Sequence, residues 1–247
     1  MSKIYKTAKP VVDVRKGPKQ KSELINQLLF NEVVTKERAS GEYLRIESRD
    51  CYEGWVKRDH LAPATRERHS YFVDMPTVTL FDDDGSLIGR LSFGTQFTVI
   101  GQRENFLRLD FDGRDAWISE GCVRKISPGK AKWRTVKQYL ELFVGTPYVW
   151  GGRSGFGLDC SGLVQLVFNT LGYKLPRDSA DQRRKGHRVS LDKMKPGDLI
   201  FSPGHVCVCY EKSWIIHSSA KAGGVYIERS DDRPDIFDSV ELVKRII

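Results

Sequence analysis

Two stretches of this chain repeat one pattern, and the repeat constrains the fold more than any other feature. YLRIESRDCYEGWVKRDHL (43–61) and FLRLDFDGRDAWISEGCV (106–123) both place an apolar-Leu-Arg-apolar run before a turn and a tryptophan. Trp55 and Trp117 occupy the same relative place. A period of about 60 residues with alternating apolar and polar positions predicts two small all-β barrels. The alternative is a chance similarity between two hairpins.

The rest of the chain changes from strand patterns to helix patterns and back. Helices are predicted in TVKQYLELFVG, ended by Gly145, and in LDCSGLVQLVFNTLG, ended by Gly172. The segments LIFS, HVCVCYE, SWIIHSS and VYIERS then read as strands. Helices followed by an antiparallel sheet predict an α+β domain. We expect domains at 1–63, 69–126 and 131–247, with the charged linker TRERHS between the first two.

The composition is that of a folded protein and narrows its partners. Of 247 residues, 40% are hydrophobic and 29% are charged, with a net charge of +8. The basic residues are scattered and not interleaved with aromatic residues, so we expect no nucleic-acid partner. No apolar run reaches the roughly 20 residues of a membrane span, so we expect no membrane association. No secretory signal is recognisable. Five cysteines without Cys-x-x-Cys spacing favour a reducing compartment, and we expect a cytoplasmic protein.

Cys160 has the local setting of a reactive thiol. It lies one or two residues into a predicted helix, where unpaired N–H groups and the helix dipole favour a thiolate and should lower the cysteine pKa. Small residues surround it, Gly155, Gly157, Ser161 and Gly162, which let a substrate backbone approach closely. The alternative is an inert, buried cysteine.

A thiol nucleophile needs a base and a group that orients the base. His205 begins a predicted strand after Pro203-Gly204, and His217 lies on the next one. In a hairpin the two histidines can meet, with His205 as base and His217 as orienter. For His217 the alternative is an ordinary core histidine.

A metal site is the rival interpretation of the same strand. His205, Cys207 and Cys209 would share one strand face. Neighbours two apart lie roughly 6.5–7 Å apart, an awkward span for one zinc ion. We therefore expect no metal and take the two cysteines as core residues that pack on the helix bearing Cys160.

The segment from about Lys132 to Ile247 resembles the NlpC/P60 family of papain-like cysteine peptidases. The motifs that carry the resemblance stand in family order: TPYVWGG (146–152), LDCSGLV (158–164), PRDS (176–179), PGDLIF (196–201), GHV (204–206) and IHS (216–218). The resemblance implies Cys160 as nucleophile, His205 as base and His217 as the third polar residue. It implies no metal or organic cofactor.

The two repeats resemble bacterial SH3 domains. VVDVRKGP is similar to their opening, with Asp13 in place of the usual Asn, and EGWV to their closing signature; the second copy is more divergent. Two SH3-like barrels before a papain-like NlpC/P60 domain resemble γ-D-glutamyl-L-diamino acid endopeptidases of murein peptide recycling.

That resemblance implies a substrate and a set of binding residues. Such enzymes cut murein tripeptides or tetrapeptides between D-Glu and the diamino acid when the N-terminal L-Ala is free. The first SH3 domain narrows the cleft, and an Asp binds the substrate ammonium. The implied binding residues are Tyr52, Tyr148, Trp150, Asp159, Ser161, Asp178 and Ser179. A buried Asp178 paired with an ammonium would discriminate strongly against blocked substrates.

Several alternatives stay open at the level of sequence. Asp178 is also a candidate helix N-cap, and Tyr52 an exposed turn aromatic. The whole chain could instead be a secreted or phage-type wall lysin anchored by its SH3 domains, a peptide-binding module without catalysis, or an acyltransferase. The sequence decides neither lysine nor diaminopimelate as the diamino acid, nor the oligomeric state.

Overall fold

The fold is taken from a computed structural model that describes residues 4–64 and 68–247. The chain divides into two compact units. The first runs to Ser127 and includes Ser154–Phe156, and the second comprises Pro128–Arg153 and Gly157–Ile247. Part of the predicted linker TRERHS, residues 65–67, lies outside the described residues.

The first half of unit 1 is one antiparallel sheet with strand order β3-β2-β6-β5-β4-β1-β7. Apolar side chains alternate along these strands and meet in one core, which buries Val12, Leu28, Ile46 and Val56. The strands are β1 Ile4–Thr7, β2 Val11–Arg15, β3 Leu24–Leu29, β4 Val33–Ser40, β5 Tyr43–Ser48, β6 Glu53–Lys57 and β7 Leu61–Pro63.

The second half of unit 1 contains two antiparallel sheets, with orders β10-β9-β14-β13-β12 and β11-β8-β15. The predicted Asp-Asp-Asp-Gly turn connects β9 to β10, and Gly85 takes the positive φ of +86° that the turn needs. The strands are β8 Tyr71–Val73, β9 Thr77–Phe81, β10 Leu87–Ser92, β11 Gln96–Phe97, β12 Gly101–Arg103, β13 Phe106–Phe111, β14 Arg114–Ser119 and β15 Val123–Lys125.

The repeated sequence pattern forms the same hairpin twice. Arg45 on β5 pairs with Trp55 on β6, and Arg108 on β13 pairs with Trp117 on β14. Each hairpin is followed by a 3₁₀ turn and a three-residue strand. Each half has its own hydrophobic cluster, and the buried Phe30 of the first half packs in the cluster of the second.

Unit 2 combines four helices with an antiparallel six-stranded sheet of order β18-β23-β19-β20-β21-β22. Helix α2 packs against β20 and β21. The helices are α1 Trp133–Glu141, α2 Cys160–Thr170, α3 Ser179–Gln182 and α4 Pro234–Phe237. The strands are β18 His187–Val189, β19 Leu199–Ser202, β20 His205–Glu211, β21 Trp214–Ser219, β22 Gly224–Arg229 and β23 Leu242–Arg245, preceded in the chain by the short segments β16 Arg153–Ser154 and β17 Gly157–Leu158.

Helix α2 begins and ends where its sequence dictates. The Asp159 side chain caps the N-terminus by accepting the Gly162 N–H at 2.6 Å. Gly172 follows the C-cap with φ +92°, a conformation that favours glycine. Cys160 is thereby the first residue of the helix.

One expectation about unit 2 is wrong. Helix α1 ends at Glu141 and not at Gly145; the chain continues in turns before Gly145 adopts φ +85°. Cys207 and Cys209 are buried core residues, as expected, in a cluster that includes Ile236 of α4 and Val243 of β23. Their packing on α2 stays a prediction.

Candidate active site

The Cys160 sulfur lies at the junction of α2 and β20. It accepts hydrogen bonds from the backbone N–H groups of Ser161 and Val206. Only 8% of the residue is exposed. Burial, followed by the negative charge of Asp159, raises the pKa of the Cys160 thiol to about 11. The expectation that the helix start would lower this pKa is therefore wrong, because desolvation outweighs the two N–H contacts, and the resting group is a neutral thiol.

His205 is the first residue of β20 and directly precedes Val206, whose N–H contacts the sulfur. Its Nε2 lies 2.8 Å from Nδ1 of His217. The pairing of Val208 with Ile216 makes the two histidines diagonal neighbours on β20 and β21. Burial and the neighbouring His217 lower the pKa of His205 to about 4, so that its imidazole is neutral at pH 7.

Asp159 and Arg177 form a buried ion pair behind the cysteine. Arg177 Nη1 donates to Asp159 Oδ1 at 3.0 Å and Nη2 to Oδ2 at 2.5 Å, a bidentate contact between residues that are 2% and 7% exposed. Oδ2 also accepts the Gly151 N–H at 2.9 Å. Ser161 Oγ donates to Oδ1 and accepts from Arg177. Both carboxylate oxygens of Asp159 and the Ser161 hydroxyl are thus used in hydrogen bonds that hold the start of α2.

Tyr148 and Trp150 lie in the TPYVWGG segment and differ in their surroundings. Tyr148 is close enough to Cys160 that the sulfur, after burial, contributes to raising the pKa of the Tyr148 hydroxyl to about 12. The phenol is therefore a proton donor at neutral pH. Trp150 is 61% exposed. Contact between this indole and a substrate stays a prediction.

Asp178 and Ser179 begin the short helix α3. Asp178 occupies the N-cap position, but its side chain makes no cap hydrogen bond. The residue is exposed, and its burial against a substrate ammonium is not tested. Tyr52 belongs to unit 1, between β5 and β6, where its hydroxyl donates to the Ile25 carbonyl at 3.3 Å. The binding roles of all three residues stay predictions.

Three residues of the site were missed from the sequence: Arg177, Glu228 and Arg233. Arg177 lies inside the PRDS motif, and its charge next to the predicted site could have indicated a partner for a site carboxylate. His217 Nε2 lies 2.5 Å from Glu228 Oε2 and 3.0 Å from Arg233 Nη1. Glu228 stands two residues beyond Tyr226, the β22 partner of His217, so only knowledge of the strand register reveals it.

A buried thiol at a helix start, next to a strand that carries one of two paired histidines, is typical of cysteine peptidases. Comparison with known proteins identifies the family. The NlpC/P60 family model matches residues 145–234, and a bacterial SH3 domain model matches residues 10–62. A γ-D-glutamyl-L-lysine dipeptidyl-peptidase of Bacillus subtilis is 30% identical over 199 residues, which cover 76% of this chain and 67% of the relative. The chain belongs to the NlpC/P60 family of peptidases.

A second relative and one solved structure complete the comparisons. A γ-D-glutamyl-L-lysine dipeptidyl-peptidase of Bacillus cereus is 27% identical over 80% of this chain and 68% of its own length, so the chain spans about two thirds of both relatives. A crystal structure of an NlpC/P60 family protein from Bacillus cereus superimposes with a TM-score of 0.90, at 19% identity, over 98% of this chain and 99% of the other. That structural likeness shows the fold.

The comparisons fix the general function and part of the domain organisation. Homology supports a cysteine peptidase that hydrolyses cell-wall peptides. One bacterial SH3 domain is shown, at residues 10–62. Over residues 4–64 and 68–247, no helix combines the length and apolar character needed to cross a membrane.

Proposed function

We propose that this chain hydrolyses the γ-D-glutamyl–L-diamino acid bond of murein peptides that carry a free N-terminal L-alanine. The observation that carries the proposal is the contact of the Cys160 sulfur with the Val206 N–H, one residue beyond His205, whose Nε2 lies 2.8 Å from His217 Nδ1. The names of the Bacillus relatives support the γ-D-glutamyl specificity.

The first half of the reaction is acylation of Cys160. A neutral His205 takes the thiol proton as Sγ attacks the γ-carbonyl carbon of D-Glu, which forms the C–S bond and moves the carbonyl π electrons onto oxygen. When the tetrahedral intermediate collapses, the C–N bond breaks. The imidazolium of His205 gives its proton to the departing α-amine of the diamino acid.

The second half releases the dipeptide. Water attacks the thioester carbonyl while His205 accepts one of its protons. The C–S bond breaks, the sulfur recovers a proton from His205, and L-Ala-D-Glu leaves with a free γ-carboxyl group. Each cycle returns the neutral thiol and neutral imidazole of the resting site. The cycle uses no metal or organic cofactor.

Two donors in unit 2 suit the oxyanion of the tetrahedral intermediate. One is the Cys160 backbone N–H, in the first turn of α2 where helix N–H groups lack intrahelical partners. The other is the Tyr148 hydroxyl, which stays protonated because burial raises its pKa to about 12. A hydrogen bond from each would stabilise the charge that forms only in the transition state.

Asp178 and Ser179 would bind the free amino end of the substrate. An exposed carboxylate attracts an ammonium weakly in water, and a bound peptide that excludes solvent strengthens the pair. We also propose that Tyr52, Trp150 and the other binding residues implied by the family resemblance line the substrate cleft. We extend the proposal to a second SH3 domain at 69–126, supported by the repeated Arg–Trp hairpin, and to a cytoplasmic recycling role.

The test compares L-Ala-γ-D-Glu-L-Lys with its N-acetylated form, and both with their diaminopimelate equivalents. We expect acetylation to lower kcat/KM about 10- to 100-fold, the value of one charge-assisted hydrogen bond of roughly 1.5–3 kcal/mol. Asp178→Asn should lower kcat/KM for the free peptide and leave the acetylated one unchanged. Asp181→Asn, on the same helix, is the matched control and should preserve the discrimination.

Equal cleavage of the free and acetylated peptides would contradict the specificity and favour a lysin that acts on intact wall. Lack of cleavage of every form, with the fold intact, would favour the binding-module alternative. The ratio of the lysine to the diaminopimelate rate identifies the preferred diamino acid.

A further inference from the structure

The outer nitrogen of His217 faces a donor and an acceptor at once. Nε2 lies 2.5 Å from Glu228 Oε2 and 3.0 Å from Arg233 Nη1. Arg233 Nη1 also donates to Glu228 Oε2 at 2.5 Å. The His217 side chain has no exposed area. These contacts lie on β21, β22 and the start of α4, on the far side of His217 from His205.

The arrangement matters because a neutral imidazole carries one N–H. Burial lowers the pKa of both histidines, so each is neutral and holds one proton at pH 7. If His217 donates from Nε2 to Glu228, its Nδ1 accepts from Nε2–H of His205. The remaining nitrogen of His205, Nδ1, then has a free lone pair to take the thiol proton.

The opposite arrangement disables the base. If Arg233 donates to Nε2 of His217, the His217 proton must sit on Nδ1 and point at Nε2 of His205. The His205 proton is then on Nδ1, and His205 has no nitrogen left to accept the proton of Cys160. Glu228 and Arg233 therefore favour opposite tautomers of the same pair.

Geometry and charge favour Glu228. Arg233 is anchored by two 2.9 Å hydrogen bonds to Asp235, and its Nη1 is shared with the Glu228 carboxylate. Burial alone would raise the pKa of Glu228, but hydrogen bonds from His217 and Arg233 lower it, which keeps the carboxylate ionised as an acceptor. A charge-assisted N–H to carboxylate bond is roughly twice as strong as a neutral one.

We propose that Glu228, held by Arg233, is a positioning residue that sets the tautomers of His217 and His205 and thereby leaves the base ready for Cys160. The groups that face His217 are His205, Glu228, Arg233 and, through Arg233, Asp235. The inference rests on the proposed cysteine-peptidase function for its effect on rate, but its effect on tautomers is independent of the substrate.

The activity test uses Glu228→Ala alone and combined with Arg233→Met. The single variant leaves the guanidinium as the polar partner of Nε2, and we expect kcat to fall at least about tenfold with little change in KM. The double variant removes the opposing donor, and we expect it to recover most of the loss. Glu228→Gln, which keeps an acceptor oxygen, should fall between the wild type and Glu228→Ala. Asp231→Ala, an exposed acidic neighbour, is the matched control and should stay within about twofold of wild type.

The structural readout is ¹⁵N NMR of the histidine rings at pH 7. We expect Nε2–H on His217 and His205 in wild type and Nδ1–H on both in Glu228→Ala. A purely structural role for Glu228 would lower the melting temperature without this exchange and would make the double variant worse than the single one. Unchanged tautomers in a folded Glu228→Ala overturn the inference. If wild type cleaves no tripeptide, the NMR result still tests the inference while the proposed function fails.

Discussion

At the scale of single residues, a buried ion pair lies beside the candidate nucleophile, Cys160. Asp159 joins the N-terminus of α2 to Arg177, and both members of the pair are nearly inaccessible. A buried ion pair adds little net stability compared with apolar packing, but removing one partner leaves an uncompensated charge. The Asp159–Arg177 pair thus holds the start of α2, where Cys160 lies. The free energy of unfolding should reveal the contribution of the pair only when one partner is removed.

Replacing Arg177 by Met should destabilise unit 2 strongly. The Asp159 carboxylate would keep its N–H donors but lose its buried counter-charge, and we expect the free energy of unfolding in urea to fall by about 3–5 kcal/mol. Arg229→Met removes an exposed partner of Asp231 and is the matched control, expected to cost less than about 0.5 kcal/mol. A loss below about 1 kcal/mol for Arg177→Met would show that the pair is not needed to compensate the buried carboxylate.

The features that could be predicted from the sequence are those that depend on residues close together in the chain. The helix start at Cys160 depends on Asp159 and Gly162, which are local, and the pattern indicated it. The repeated Arg–Trp pattern, which forms a hairpin in each half of unit 1, could also be found from the sequence. Glu228 contacts His217 only through the register of β21 with β22. The burial that raises the thiol pKa depends on packing by distant segments, which local spacing does not reveal.

At the scale of elements, the approach of one loop to α2 explains a glycine inside a helix. A Cβ atom on Gly162 would lie 2.1 Å from the Gly152 carbonyl oxygen and 2.9 Å from Asp159 Oδ1. Both distances are well below van der Waals contact. The TPYVWGG segment thus reaches the first turn of α2 because residue 162 has no side chain.

Gly162→Ala should destabilise the protein although alanine favours helices by about 1 kcal/mol over glycine. The clash with backbone must move either the loop or the helix start, and we expect a net loss of about 1–3 kcal/mol with a lowered kcat. Gly121→Ala is the control, because its Cβ would meet no atom closer than Ser119 Oγ at 3.8 Å. A melting temperature equal to or above wild type for Gly162→Ala would refute the close approach.

At the scale of the whole molecule, the chain joins a β-rich unit to a helix-and-sheet unit that bears the candidate nucleophile. The SH3 homology lies in the first unit and the NlpC/P60 homology in the second. Phe30 of the first half of unit 1 packs in the hydrophobic cluster of the second half, so the two halves are in contact. Family membership indicates a peptidase, and unit 2 bears the candidate site.

The central claim is that Cys160 is the nucleophile, and turnover of L-Ala-γ-D-Glu-L-Lys by Cys160→Ala tests it most directly. Cys209→Ala is the matched control, since burial raises the pKa of the Cys209 thiol to about 12 and its cluster lies against α4. We predict a loss of at least about 10³-fold for Cys160→Ala, with an unchanged circular dichroism spectrum, and near wild-type turnover for Cys209→Ala. Wild-type turnover by folded Cys160→Ala would contradict the account.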